Sequence, residues 1–196
     1  MNLSVDLFRG KQTQIFFNPR LSKEKQAILS NAIAMQKTYP EHFWLMSSGT
    51  ESAKLGRQKM IALKPEAILA AAAGVVKTFD LNAQDIYLKS LPSFHIGGIS
   101  IFARAHLAGF QILEAAAEPQ WNAENFVDLI ARERVTVASL VPTQIFDLVQ
   151  KKAAAPVPLR WIFVGGGALS PALFAEARTL GWPLVLTYGM TETCAM

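Results

Sequence analysis

The stretch IYLKSLPSFHIGGISIFARAHLAGFQIL, Ile86 to Leu113, decides the fold. Ile86 to Leu91 reads as a strand, Ile99 to Leu107 as a helix, and Phe110 to Leu113 as a second strand. The alternation continues downstream. Asn122 caps a helix carrying Phe126, Leu129 and Ile130, and the β-branched run Val135 to Val141 reads as a buried strand. Pro142 opens a helix through Ile145, Leu148 and Val149, and Ala153 to Pro158 is a connector. Trp161 to Val164 is a strand, Ser170-Pro171 starts a helix that Gly181 stops, and Pro183 to Leu186 is the last strand. Strands separated by helices must pair in parallel through crossovers. The expected fold is therefore a layered α/β one, a mostly parallel sheet flanked by helices.

Upstream of this region, Ser22 caps a helix through Ile28, Ile33 and Met35. Phe43 to Met46 is a short apolar run that ends in a polar loop, and Pro65-Glu66 makes a suitable first turn for a helix containing Ala70 to Ala73. Ligands of parallel α/β sheets bind beyond the carboxyl ends of the strands. The loops after Met46, Leu91, Val141, Val164 and Leu186 are therefore expected on one functional edge.

Composition narrows the function classes. Of 196 residues, 51% are hydrophobic, enough for one sizeable core and unlike a disordered chain. No apolar run approaches the roughly 20 residues of a membrane-spanning helix, and Met1 to Gly10 lacks the pattern of a secretory signal. The single cysteine, Cys194, excludes an internal disulfide and a multi-cysteine metal site. A cytoplasmic location and no membrane insertion are expected. The net charge is +4, with Lys54, Arg57, Lys59 and Lys64 gathered in one stretch. That stretch reads either as a solvated loop or as an attractor of polyanions. Without any nucleic-acid-binding signature, nucleotide phosphates are the better polyanion than nucleic acid.

Four loops carry chemistry. Ser47-Ser48-Gly49-Thr50-Glu51-Ser52 offers hydroxyls and a glycine that can wrap phosphate oxygens, although the same residues also build ordinary turns. Leu91-Pro92-Ser93-Phe94-His95-Ile96-Gly97-Gly98 puts a histidine before two glycines at a helix start, where a bare N-terminus could receive a carboxylate. Arg104, nine residues after His95, could meet a second carboxylate or be a surface arginine. In Val164-Gly165-Gly166-Gly167-Ala168-Leu169-Ser170, three glycines let a flat ring pack on backbone, or simply make a turn. In Thr187-Tyr188-Gly189-Met190-Thr191-Glu192-Thr193, Tyr188 can stack on a purine, Thr191 can donate to phosphate, and Glu192 can hold a hard cation such as Mg²⁺.

These motifs, in this order, resemble those of the adenylate-forming, AMP-producing acyl-CoA synthetases. Tyr188 to Thr193 matches the Tyr-Gly-x-Thr-Glu motif, the most specific of the set, and the resemblance runs from about Trp44 to the end. It implies a reduced N-terminal segment over 1–43 and a partial AMP-binding core over 44–196, without the C-terminal lid domain. It also implies an acid–thiol ligase that uses ATP, Mg²⁺ and coenzyme A. By carry-over, Ser47, Ser48, Gly49, Thr50 and Lys54 would bind the ATP phosphates. Gly166, Gly167, Tyr188 and Gly189 would frame adenine, and His95, Gly97 and Arg104 would face the acyl substrate. Thr191, Glu192 and His95 would be the catalytic set, with Glu192 the metal ligand.

Leu-Pro-x-Phe-His-x-Gly-Gly with a basic residue nine positions after the histidine is similar to the family members that activate o-succinylbenzoate for menaquinone synthesis. A dicarboxylate suits a histidine and an arginine around one pocket. The phosphate loop departs from the family pattern, with Ser52-Ala53-Lys54-Leu55-Gly56 where glycine, proline and lysine are usual. Lys54 and Lys59 both remain candidates for the lysine. The family's ribose-binding aspartate and lid lysine would lie beyond Met196, so these 196 residues alone are expected to be inactive. The competing readings are a non-catalytic nucleotide- or acyl-binding module, a ligase for another acyl or aryl acid, and a plain α/β interaction domain whose loops are turns. A homo-oligomer is left open.

Overall fold

A computed structural model describes residues 4–47, 59–114 and 121–195. They form two compact units. The first comprises the described parts of Met1–Thr78, Pro92–Leu107 and Met190–Met196, the second Phe79–Leu91 and Ala108–Gly189.

The first unit is built on a three-stranded sheet in which β1 (Gln14–Phe16) pairs in parallel with β2 (Phe43–Met46), and β2 pairs antiparallel with β3 (Met60–Leu63). Of these strands the sequence reading singles out only Phe43–Met46, although Met60–Leu63 is an apolar run as well. β1 has three residues, and β3 alternates half-buried and buried positions directly after a charged stretch. Among the described residues, helices α1 (Lys23–Ala34), α2 (Pro65–Thr78) and α3 (Ile96–Ala108) belong to this unit. Phe16, Phe43, Leu45, Ile61, Leu63, Ile68, Ile99 and Ala103 make its core, and Cys194 packs among them.

The second unit holds a five-stranded sheet in the order β5-β4-β6-β7-β8, from β4 (Ile86–Lys89), β5 (Gln111–Glu114), β6 (Val137–Leu140), β7 (Trp161–Val164) and β8 (Leu184–Leu186). Every pairing is parallel, as the alternating sequence requires. β6 is buried at all four positions and so shows no in–out alternation; its one polar residue, Ser139, shares a 2.7 Å hydrogen bond with the Tyr87 hydroxyl. Three helices belong to the unit: α4 (Ala123–Arg132), α5 (Pro142–Gln150) and α6 (Pro171–Thr179). Ile130, Leu140, Ile145, Leu148, Ile162 and Trp182 are fully buried in its core, and the Trp182 indole N–H donates to the Ala153 carbonyl at 2.9 Å.

Caps fall where the sequence puts them. Asn122 Oδ1 accepts from the Asn125 amide at 2.9 Å, Ser170 Oγ from Leu173 at 3.2 Å, and Ser22 Oγ from Lys25 at 3.4 Å. At the amino edge of the five-stranded sheet the buried Asp85 carboxylate accepts from Arg160 Nη1 and Thr136 Oγ1, both at 2.7 Å. This ties the starts of β4, β6 and β7 together and leaves the opposite edge for ligands. No helix among the described residues is long and apolar enough to cross a membrane.

One expectation is corrected. The serine loop leaves β2, a strand of the three-stranded sheet, whereas the histidine, glycine-rich and tyrosine loops follow β4, β7 and β8 of the parallel sheet. The loops therefore do not all spring from one sheet. Sequence patterning finds strands; it does not say which strands pair.

Candidate active site

In the first unit two distant motifs meet. Ser47 ends β2, Lys59 precedes β3, and the Ser47 amide donates to the Lys59 carbonyl at 3.0 Å, closing the mouth of the serine loop. Lys59 Nζ then donates to Glu192 Oε1 at 2.7 Å, across 133 residues of sequence. The pair is open to solvent, with side-chain exposures of 58% for Lys59 and 40% for Glu192. The Lys59 ammonium holds the Glu192 carboxyl below the usual carboxylate range, so Glu192 is an anion near neutral pH. Ser47 Oγ is buried and has no hydrogen-bond partner among the described residues. Ser48, Gly49, Thr50 and Lys54 lie outside the described residues.

Glu192 sits in a short 3-10 helix, Thr191–Thr193, whose geometry is set locally. Thr193 Oγ1 accepts from the Met190 amide at 2.9 Å and donates to the Met190 carbonyl at 3.1 Å. The Cys194 amide donates to the Thr191 carbonyl at 3.1 Å, and the Cys194 side chain is buried. Burial raises the Cys194 thiol above its usual value, so it is a packing residue and not a nucleophile. Thr191 is half-buried beside Glu192.

The same unit contains the histidine loop. His95 stands at the entrance to α3, its carbonyl accepting from the Gly98 and Ile99 amides at 3.0 and 3.1 Å. Its ring lies 4.4 Å from that of Phe94, centroid to centroid. Burial lowers the imidazole below its ordinary value, which leaves it neutral at pH 7 and able to donate from one ring nitrogen and accept at the other.

The two glycines differ. A β-carbon on Gly98 would lie 2.7 Å from the Pro92 carbonyl carbon and closer still to its oxygen. Gly98 is therefore required by the packing of α3 on Pro92-Ser93, and the reading of both glycines as a bare carboxylate-binding terminus is corrected for it. Gly97 stays half-buried in the first turn. Seven residues separate it from Arg104, which places both on one face of α3 about 10 Å apart along the axis. Arg104 is 5% exposed, so its alternative as a surface arginine is overturned.

The second unit brings the other two loops together. β7 and β8 are neighbours, and Thr187 binds back across them, its amide and Oγ1 both donating to the Val164 carbonyl at 2.9 and 3.0 Å. A β-carbon on Gly165 would fall 2.7 Å from Thr187 Oγ1, so this glycine makes room for the hydroxyl. Gly166 takes a φ of +79°, which glycine adopts at no steric cost. Gly166, Gly167 and Gly189 are exposed, and Tyr188 is 86% exposed, leaving its ring faces open to a planar ligand. Sequence reading missed Thr187 and Gly165. The signal was a hydroxyl residue directly before Tyr-Gly, meaningful only once β7 and β8 are known to be adjacent. The Tyr-Gly-x-Thr-Glu motif straddles the two units, with Tyr188 and Gly189 in one and Thr191 and Glu192 in the other.

Among the described residues there is no group of three or more His, Cys, Asp or Glu side chains that could hold a metal by themselves. A single exposed carboxylate fits Mg²⁺, which keeps several waters and is bound through one or two carboxylates plus substrate phosphates.

The family model described as AMP-binding enzyme matches residues 22–196. The chain is 32% identical, over 151 residues, to the 2-succinylbenzoate–CoA ligase of Staphylococcus aureus strain MSSA476, an alignment that covers 77% of this chain and 29% of that protein. The chain thus spans under a third of the length of the curated relatives it matches. Among solved structures, the unliganded O-succinylbenzoate coenzyme A synthetase of Bacillus subtilis superposes with a TM-score of 0.75 at 21% identity, over 94% of this chain and 47% of that one. The same Bacillus subtilis enzyme in complex with ATP and a magnesium ion gives 0.72 at 22% identity, over 99% and 44%.

Proposed function

The chain belongs to the AMP-binding enzyme family, and from that premise we propose that it is the nucleotide- and acid-binding part of an AMP-forming acid–CoA ligase whose substrate is o-succinylbenzoate. The proposed reaction joins the acid's carboxylate to the α-phosphate of ATP with loss of pyrophosphate, and then passes the acyl group to the thiol of coenzyme A with loss of AMP. The observation that carries this reading is the junction of the serine-loop mouth with the Thr-Glu motif through Lys59 and Glu192.

In the proposed mechanism the chain's residues align and neutralise; none becomes covalently attached to substrate. Ser47, with Ser48, Gly49, Thr50 and Lys54, holds the β- and γ-phosphates. The unpartnered Ser47 hydroxyl is a donor suited to that task. Lys59 adds a cation at the loop mouth, and Thr191 donates to the α-phosphate. Glu192 would hold Mg²⁺, and the cation would supply screening of the phosphate charge against the incoming carboxylate. Gly166, Gly167, Tyr188 and Gly189 form the adenine platform, where the exposed phenol ring and bare backbone favour stacking. Neutral His95 can donate a hydrogen bond to one carboxylate of the acid, with Gly97 and Arg104 along α3 completing the acyl site. The 2-succinylbenzoate–CoA ligase relatives favour the dicarboxylate. A cytoplasmic enzyme acting on small molecules follows from this assignment.

The test is pyrophosphate release and thioester formation by the product of the full reading frame that encodes this chain. ATP-dependent release with o-succinylbenzoate, and at least tenfold less with benzoate, is the expected outcome. Equal turnover of both acids would remove the dicarboxylate assignment, and no release with any acid would remove the ligase.

A further inference from the structure

We propose that the Lys59–Glu192 ion pair is a placeholder exchanged as one unit for a metal–polyphosphate, the ammonium passing to phosphate oxygens and the carboxylate to the cation. The inference rests on the reading of this rim as a nucleotide site, and it concerns what the two side chains do before the nucleotide arrives.

Both backbones are held, while the two side-chain tips reach into solvent and, among the described residues, bond to each other. Lys59 is fixed by the Ser47 amide at its carbonyl and by the β2–β3 register, in which Met46 faces Met60. Glu192 is fixed by the Thr193 hydroxyl on Met190 and by the buried Cys194. Between them the charged atoms stand 2.7 Å apart with much of each side chain in solvent. Ser47, which faces Lys59 across the loop mouth, keeps a buried hydroxyl without a partner among the described residues. The arrangement is a cation, an anion and an uncommitted donor at one mouth, with only a solvent-exposed ion pair to break.

Linkage then dictates the behaviour. A divalent cation binding alone must displace Lys59 from Glu192, and a polyphosphate binding alone must draw Lys59 away and strand the carboxylate beside phosphate. Together they break the pair once and satisfy both halves, so each raises the affinity of the other through these residues. An exposed pair limits this coupling to about two- to fivefold. Lys59 is thereby a positioning residue for the metal ligand as well as a phosphate-side cation.

The experiment uses the whole chain, with Mn²⁺ followed by electron paramagnetic resonance and tripolyphosphate by calorimetry, each alone and then combined. Lys59→Met is expected to tighten Mn²⁺ alone about two- to fivefold while weakening tripolyphosphate, with Lys59→Arg behaving as the unmodified protein. In a Glu192→Gln background the gain for Mn²⁺ disappears. Lys64→Met removes a cation one β-strand away, about 16 Å along the chain, and is expected to leave Mn²⁺ binding unchanged. Mn²⁺ binding that Lys59→Met leaves unaltered or weakens, in a protein that binds both probes, overturns the exchange and spares the nucleotide reading. A chain that binds neither probe overturns both.

Discussion

At the scale of single residues, His95 shows how burial sets a protonation state. Its half-buried ring against Phe94 has its proton affinity lowered by desolvation. The unfolded imidazole takes up its proton near pH 6.5, as free histidine does, whereas the folded one holds off to lower pH. Between those two points the unfolded chain binds more protons, so stability falls as pH drops through that window and is untouched above it. His95→Gln is therefore expected to flatten the decline below about pH 6.5, as measured by urea denaturation at pH 7.5 and 5. Parallel losses in both proteins would show that burial of this ring is not responsible. His95 was legible because a lone histidine stood before a glycine pair. The separate duties of Gly97 and Gly98 were not, since only coordinates reveal the Pro92 backbone filling the space beside Gly98. The partnership of Lys59 with Glu192 was equally invisible at a separation of 133 residues.

Elements were legible where their determinants are local. Helix starts depend on a side chain and an amide three residues apart, so Ser22, Asn122 and Ser170 could be read directly. Their bonds are unequal, 2.9 Å at Asn122 against 3.4 Å at Ser22, the latter at the edge of useful geometry. Asn122→Ala is expected to cost about 1 kcal/mol and Ser22→Ala well under half of that, by thermal denaturation of each variant. Equal losses would mean that cap distance does not govern the cost. β1 and β3 were missed because three residues, Gln14–Phe16, are too few to display a period, and Met60–Leu63 is apolar throughout, so its alternation of half-buried and buried positions leaves no trace in residue type. The parallel sheet was legible because crossover helices leave its strands no other pairing.

For the whole molecule, chain order and spatial order part company. The first unit is assembled from three separated stretches, and the last of them, Met190–Met196, supplies Cys194 to its core and Glu192 to Lys59. A chain ending at Gly189 is expected to lose protection first in the first unit. The amides of Leu45, Ile61 and Ala103 should exchange faster, by an opening free energy lower by about 2 kcal/mol, while those of Val137 to Leu140 and Trp161 to Val164 persist. Hydrogen exchange read by mass spectrometry decides it, and uniform loss through both units would contradict the assignment of this segment to the first. Such interleaving escapes sequence patterning, which reports on neighbours in the chain.

The clasp between the Ser47 amide and the Lys59 carbonyl has an architectural consequence. The antiparallel register that sets Met46 opposite Met60 anchors both posts of the gateway, so a substitution at either strand end would shift Ser47 and Lys59 together and carry the Lys59 ammonium off Glu192.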